Sequence, residues 1–188
     1  QDIEWISALL FDLMSAFRDE RNHDKALRYM RELEDFQNKI GNKDTYDVAY
    51  CQYLLACEYI KLQDYNQAKI YLDNVERICQ VLGDNPETRN LQANSWVSRG
   101  NLYRGTNQEQ KALEIYQQVL ANINNLPKEE ELVLLIGAYG NMQDIYLKRN
   151  DLDNFLKYIK KYLDVATHHY GENSGKVLSV YFDSANYL

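Results

Sequence analysis

One ring returns along this chain at a nearly fixed interval. Phe17, Tyr59, Tyr103 and Tyr146 are spaced 42, 44 and 43 residues apart, and Leu188 falls 42 further on. Nine residues beyond each ring stands Ala26, Ala68, Ala112 or Phe155. A single folded core gives distant positions no reason to share a period. A held register belongs instead to one supersecondary unit stacked on copies of itself, each burying its apolar face against its neighbours.

The unit is helical. Apolar side chains recur at three and four residues, as in Leu9, Leu10, Leu13, Phe17 and in Ala68, Leu72, Val75, and strand-like alternation is absent. Gly41, Gly83 and Gly171 stand where second helices should stop, because glycine suits the left-handed residue that ends a helix. Asn125 takes that place in the third repeat, and Pro86 and Pro127 fall where a new helix must begin. The pattern predicts helix pairs over 3–20 and 23–40, 44–62 and 65–82, 87–105 and 108–123, 129–149 and 152–169, then a lone helix from 174. Polar turns at Arg21-Asn22, Gln63-Asp64, Thr106-Asn107 and Arg149-Asn150 are short enough to force antiparallel neighbours. The expected fold is all-α: one domain over 1–188, with repeats at about 3–41, 44–83, 87–125 and 129–171 and a partial fifth unit at 174–188.

Matching positions carry matching sizes. Two turns before each ring come Leu10, Gln52, Trp96, Tyr139 and Tyr181; nearer it come Met14, Ala56, Gly100, Gln143 and Ala185. Small residues there admit close helix approach, so Met14 and Gln143 fit less well, and Phe155 should loosen or rearrange the fourth repeat. The recurring tyrosines fill gaps between helices, whereas Tyr50 and Tyr53 fall outside that pattern and are expected on an exposed surface.

Composition narrows the work such a chain can do. The net charge is −7, with 11 basic and 17 acidic residues over 1–94 and 10 and 11 over 95–188. An acidic body repels phosphate backbones and anionic lipid, which disfavours nucleic acid and membrane surfaces as partners. The apolar run from Leu132 to Tyr139 is far shorter than the roughly 18–20 residues of a membrane span, so a soluble protein is expected. Cys51, Cys57 and Cys79 are odd in number and form no close metal-binding pair. They point to buried thiols in a reducing compartment, hence the cytoplasm. The chain begins at Gln1, as a processed or excised segment would, and a removed signal peptide would leave no trace.

No catalytic constellation is legible. Three histidines match no serine or cysteine spacing, and there is no glycine-rich phosphate loop. His168 and His169 are adjacent, so on a helix they point about 100° apart and suit a solvated helix end better than one metal ion. Glu129, Glu130 and Glu131 open a helix, where carboxylates favour its dipole. The chain is expected to be no enzyme and to hold no metal or cofactor.

Trp96, Gly100, Tyr103, Ala112 and Tyr116, with Leu55, Ala56, Tyr59, Tyr65 and Ala68, resemble the tetratricopeptide repeat. These repeats exceed the family's usual length of ~34 residues and are similar to those of kinesin light chains and bacterial peptide-sensing regulators. The resemblance implies a right-handed superhelical solenoid whose first helices line a concave face. It places inward Phe11, Arg18, Tyr50, Tyr53, Cys57 and Lys61, then Asn94, Val97, Asn101 and Arg104, then Asp144, Leu147 and Lys148, with Phe182 and Asn186 from the last helix. Phe11 and Ser15 stand where the chaperone-adaptor clamp for a terminal carboxylate needs lysine and asparagine, so that clamp is not implied. The implied function is a scaffold that binds a peptide or protein segment. The alternatives are a peptide-sensing domain of a larger regulator and an architectural module that self-associates through its terminal helix.

Overall fold

The computed structural model describes residues 2–20, 22–41, 43–123 and 128–185. Asn125 and Pro127, Arg21 of the first turn, and Asn186 and Leu188 at the end of the chain lie outside them. Nine helices and no strand occur among the described residues: α1 Asp2–Asp19, α2 His23–Lys39, α3 Tyr46–Lys61, α4 Tyr65–Leu82, α5 Pro86–Gly105, α6 Glu109–Asn122, α7 Lys128–Lys148, α8 Leu152–Tyr170 and α9 Gly175–Ala185. This is the succession of helix pairs of a helical-repeat solenoid. The chain divides into two compact units, residues 1–98 and 99–188, with the division inside α5.

The recurring ring marks the last turn of each first helix. Its carbonyl accepts the amide five residues on: Asn22 N to Phe17 O at 2.9 Å, Asp64 N to Tyr59 O at 2.9 Å, Gln108 N to Tyr103 O at 2.8 Å and Asp151 N to Tyr146 O at 2.9 Å. In the last three, the residue between is left-handed, with φ of 61° at Gln63, 58° at Asn107 and 56° at Asn150. Together with the inner bonds Gln63 N to Ile60 O, Asn107 N to Arg104 O and Asn150 N to Leu147 O, these are Schellman ends. The residue that donates the outer bond then caps the next helix. Asn22, Asp64 and Asp151 accept from the amides of Lys25, Gln67 and Asn154, whereas Gln108 makes no side-chain cap. Its carbonyl takes the amide four residues later, at Ala26, Ala68, Ala112 or Phe155.

Between repeats a different device is used. Asn85 and Thr88 cap α5 reciprocally, each backbone amide donating to the other's side-chain oxygen at 3.0 Å, with Pro86 at the first helical position. Gly41, Gly83 and Gly171 all have positive φ, between 76° and 83°, as the sequence predicts for helix stops.

In the first unit α1 pairs with α2 and α3 with α4, and α2 packs on α3. Val48, Ala49, Val75, Ile78, Cys79 and Leu91 form a core cluster with Tyr46, Tyr50, Tyr53 and Leu82 against it. In the second unit α7 pairs with α8, α6 packs on α7 and α9 on α8. Rings twelve residues apart stack within pairs: Phe17 on Tyr29, Tyr59 on Tyr71 and Tyr146 on Tyr158, with centroids 5.4, 5.6 and 5.3 Å apart. The third repeat has Ile115 at that position, and the Lys111 ammonium lies over the Tyr103 ring instead. Met14 is fully buried despite its size, and Phe155 is buried like the alanines it replaces.

Gly100 shows how close one approach is. A Cβ there would lie 2.4 Å from Cε1 of Tyr116, a fully buried ring whose hydroxyl donates to Asn101 Oδ1 at 2.8 Å. The tethered ring cannot move aside. Gly100→Ala should therefore destabilise by about 1–3 kcal/mol through overpacking, although in an open helix alanine would add up to ~1 kcal/mol. Thermal unfolding of the variant decides, since a raised Tm would show a loose contact.

Candidate functional site

Six of the residues placed inward from sequence, Arg18, Tyr50, Tyr53, Cys57, Lys61 and Asn94, converge in the first unit. Arg18 of α1 and Tyr50, Tyr53 and Lys61 of α3 line a cavity of about 330 Å³, joined by Asn90 and Asn94 of α5. Cys57 also lines it, and so do Tyr46, Leu54, Glu58 and Leu91, which the sequence reading did not single out. Tyr50 and Tyr53 are half-buried, not exposed as expected, because their rings run on from the core cluster as the groove wall. Tyr50 packs against Tyr53 with centroids 6.1 Å apart. Burial pushes the Tyr53 phenol well above its usual range, so it remains a neutral hydroxyl in ordinary buffers.

The groove floor carries a buried carboxylate. Glu58 is fully buried, and its two oxygens meet His23 Nδ1 at 2.7 Å and Lys61 Nζ at 2.6 Å. Lys61 therefore enters the site already paired. Arg18 differs: among the described residues it makes no hydrogen bond or ion pair. Asn94 donates its amide to Asn90 O and Oδ1, tying two potential backbone readers on consecutive turns of α5. Phe11 lies outside this groove, in a neighbouring cavity that shares Tyr46 and Tyr50. Val97 is half-buried on α5 and is not among the groove residues.

In the second unit the proposed polar residues already have partners. Arg104 Nη1 meets Asp144 Oδ2 at 2.8 Å, and Asn101 Oδ1 is taken by the Tyr116 hydroxyl. Lys148 Nζ lies 2.9 Å from Glu109 Oε1, and Arg149 Nε 2.9 Å from its Oε2. Leu147 is half-buried, while Phe182 is 75% exposed beside Tyr181 and Leu178 on α9. A broad cavity of about 1110 Å³ runs along α8 to Tyr181 and takes in none of the proposed residues. His168 lines it, exposed, whereas His169 packs edge-on against Tyr170 at 4.5 Å. The glutamates at 129–131 occupy the first turn of α7.

All three cysteines are free thiols. Burial pushes the Cys51 thiol up to about 12 and raises Cys57 and Cys79 as well, so none has thiolate character near neutrality. No group of three or more His, Cys, Asp or Glu suited to a metal occurs among the described residues. No described helix is long and apolar enough to cross a membrane.

Residues 49–80 and 93–124 each match the family model of the tetratricopeptide repeat. These two segments, most of α3 with most of α4 and most of α5 with α6, are similar to tetratricopeptide repeats, which point to a protein–protein interaction scaffold. They are the two repeats with a small residue at both close-approach positions, Ala56 with Ala68 and Gly100 with Ala112. The comparison with curated proteins finds no match.

Two predictions follow from the charges. His23→Ala with Lys61→Met leaves the Glu58 carboxylate buried without a partner, which should cost at least ~3 kcal/mol in denaturant unfolding. Adding Glu58→Leu should restore most of that loss, because no uncompensated charge remains; a triple variant as unstable as the double contradicts the assignment. In the second unit the hydrogen bonds from Lys148 and Arg149 hold the Glu109 carboxyl below its usual range. Its contribution is present above the unfolded carboxyl value of about 4.3 and lost as pH falls through the lower folded value. Glu109→Gln should flatten that acid-side loss, by under about 1 kcal/mol given the exposed cations, in unfolding curves between pH ~5 and ~3.

Proposed function

We propose that the groove across α1, α3 and α5 binds an extended segment of a protein partner and holds an acidic side chain of that segment on Arg18. That Arg18 makes no hydrogen bond or ion pair among the described residues carries this reading. Across the groove from it, the Asn90 and Asn94 carboxamides offer both donors and acceptors to a peptide backbone. The walls are apolar where Tyr50, Tyr53, Leu54 and Leu91 face the cavity. Apolar surface with a few convergent polar groups is what a peptide site needs. The protein's net charge of −7 makes Arg18 a local exception that would select an acidic segment against a repelling background.

Val97 extends the proposed surface along α5. In the second unit Asn101, Arg104, Asp144, Leu147, Lys148 and Phe182 are secondary candidates, because Arg104, Asp144 and Lys148 must leave existing partners before they can serve a ligand. That cost ranks the two arginines. Peptides selected from a displayed random library against the intact chain should lose at least ~tenfold in affinity with Arg18→Glu, about 1.4 kcal/mol. Arg104→Glu should change it much less. Equal affinity for the wild type and Arg18→Glu would remove the groove assignment.

A further inference from the structure

The first helix keeps one face in solvent. Trp5, Leu9, Asp12, Ala16 and Asp19 of α1 are all exposed, and at about 100° per residue they fall within ~40° of one direction on the helix. Trp5 is 65% exposed and Leu9 42%, on a helix that packs against α2 and the Tyr50 ring through its other side. The stripe is apolar at its start and acidic at its end, over about 21 Å from Trp5 to Asp19. Neither carboxylate makes a hydrogen bond or ion pair among the described residues.

The broad cavity along α8 carries the opposite charge. Lys157, Lys160 and Lys161 line it against a single acid, Asp164, among its described lining residues. The three ammonium groups make no ion pair among the described residues, although Lys157 and Lys161 lie over the Tyr158 ring. On a chain of net charge −7 this is a local positive excess. Leu156, Leu163 and Tyr181 are its apolar lining, and Leu178 stands exposed one turn before Tyr181 on α9. From Leu156 to His168 the lining runs about 18 Å along α8.

Charge decides what can cover these two faces. Two copies of the groove brought together would oppose lysine to lysine, and two copies of the stripe aspartate to aspartate, so neither face suits itself. The stripe and the groove, by contrast, match in length, are opposite in charge, and each set apolar surface beside ions without a partner among the described residues. Only an antiparallel placement joins like chemistry along the whole length. It sets Asp12 and Asp19 near Lys157 and Lys160, and Trp5 and Leu9 toward Leu163 and Tyr181.

We propose that the chain associates head to tail, the α1 stripe of one copy lying antiparallel in the α8–α9 groove of the next. The contact is heterologous, so each copy offers one face of either kind and further copies can add. Arg18 falls outside the stripe, and the proposal does not rest on the peptide groove.

The test is sedimentation equilibrium of the intact chain. Between ~10 µM and ~1 mM the weight-average mass should climb above the monomer, with Kd on the order of 100 µM. Raising salt from ~0.05 to ~0.5 M should weaken association at least ~threefold, because the ions meet at the surface. Lys157→Glu with Lys160→Glu makes the groove acidic, and Asp12→Lys with Asp19→Lys makes the stripe basic. Each double variant alone should associate at least ~tenfold more weakly and keep its helical CD spectrum, since all four positions are exposed. Mixing the two variants should restore association, because each face then meets its opposite charge. The proposal is overturned by a chain that stays monomeric at ~1 mM, by association that salt does not weaken, or by a mixture no more associated than its parts. A lysine-reversed variant that associates like the wild type would overturn it as well, since the contact would then be a symmetric apolar one through α9. Arg18→Glu should leave the mass curve unchanged, so a failure here and a failure of the groove reading are separately visible.

Discussion

The bond on which the structure depends is the one from each linking amide back to the carbonyl of the recurring ring, made at Phe17, Tyr59, Tyr103 and Tyr146. A single backbone bond contributes only about 1 kcal/mol net, so its importance is geometric. After Tyr59, Tyr103 and Tyr146 it goes with one left-handed residue, and in every pair it reverses the chain and makes the donor residue the cap position of the next helix. The ring-to-cap bond spans five residues, and the cap-to-alanine bond spans four. Those two spans are the nine-residue offset that separates each ring from Ala26, Ala68, Ala112 or Phe155. Three residues further on, nearly a helical turn, stand Tyr29, Tyr71 and Tyr158, whose rings stack on the first ring in three of the four pairs.

The polar groups of the first unit are arranged so that opposite chemistries share one wall. Glu58 is satisfied below the groove by His23 and Lys61, whereas Arg18 makes no ion pair among the described residues. Across Tyr46 and Tyr50, the neighbouring cavity has Asp12 and Asp47 and no basic residue among its described lining residues. In the second unit Arg104 with Asp144, and Glu109 with Lys148 and Arg149, tie residues about forty apart in sequence. Those ions serve the packing of consecutive helices more directly than they serve a ligand.

Much of the fold was legible because its determinants are local. Glycine at 41, 83 and 171 stops helices for reasons confined to one residue's φ, and Pro86 with the Asn85–Thr88 cap starts one for reasons confined to four. Helix limits accordingly fall within two residues of those predicted at nearly every end. The left-handed roles of Gln63, Asn107 and Asn150 were not legible, since glutamine and asparagine occur in many other settings. The stacked partners at twelve residues could have been found by extending the same periodic comparison to Tyr29, Tyr71 and Tyr158. Glu58 left a weaker signal: an acid amid Leu54, Leu55, Ala56 and Tyr59, one turn before a lysine.

The sequence alone determined the repeat, its helical period, its turns and the sizes at its close contacts, because each follows from the backbone geometry of a few neighbouring residues. Which of the implied inward residues are available was decided only by tertiary structure. Arg18 and Arg104 occupy related places in their repeats, yet one has no partner among the described residues and the other is held by Asp144 from the next first helix. Pairing of that kind depends on which side chain the following repeat brings across, some forty residues away, and no local period specifies it. The same holds for the cavity behind Tyr46 and Tyr50, where Asp12, Gln37 and Asp47 meet from three different helices only after those helices have packed.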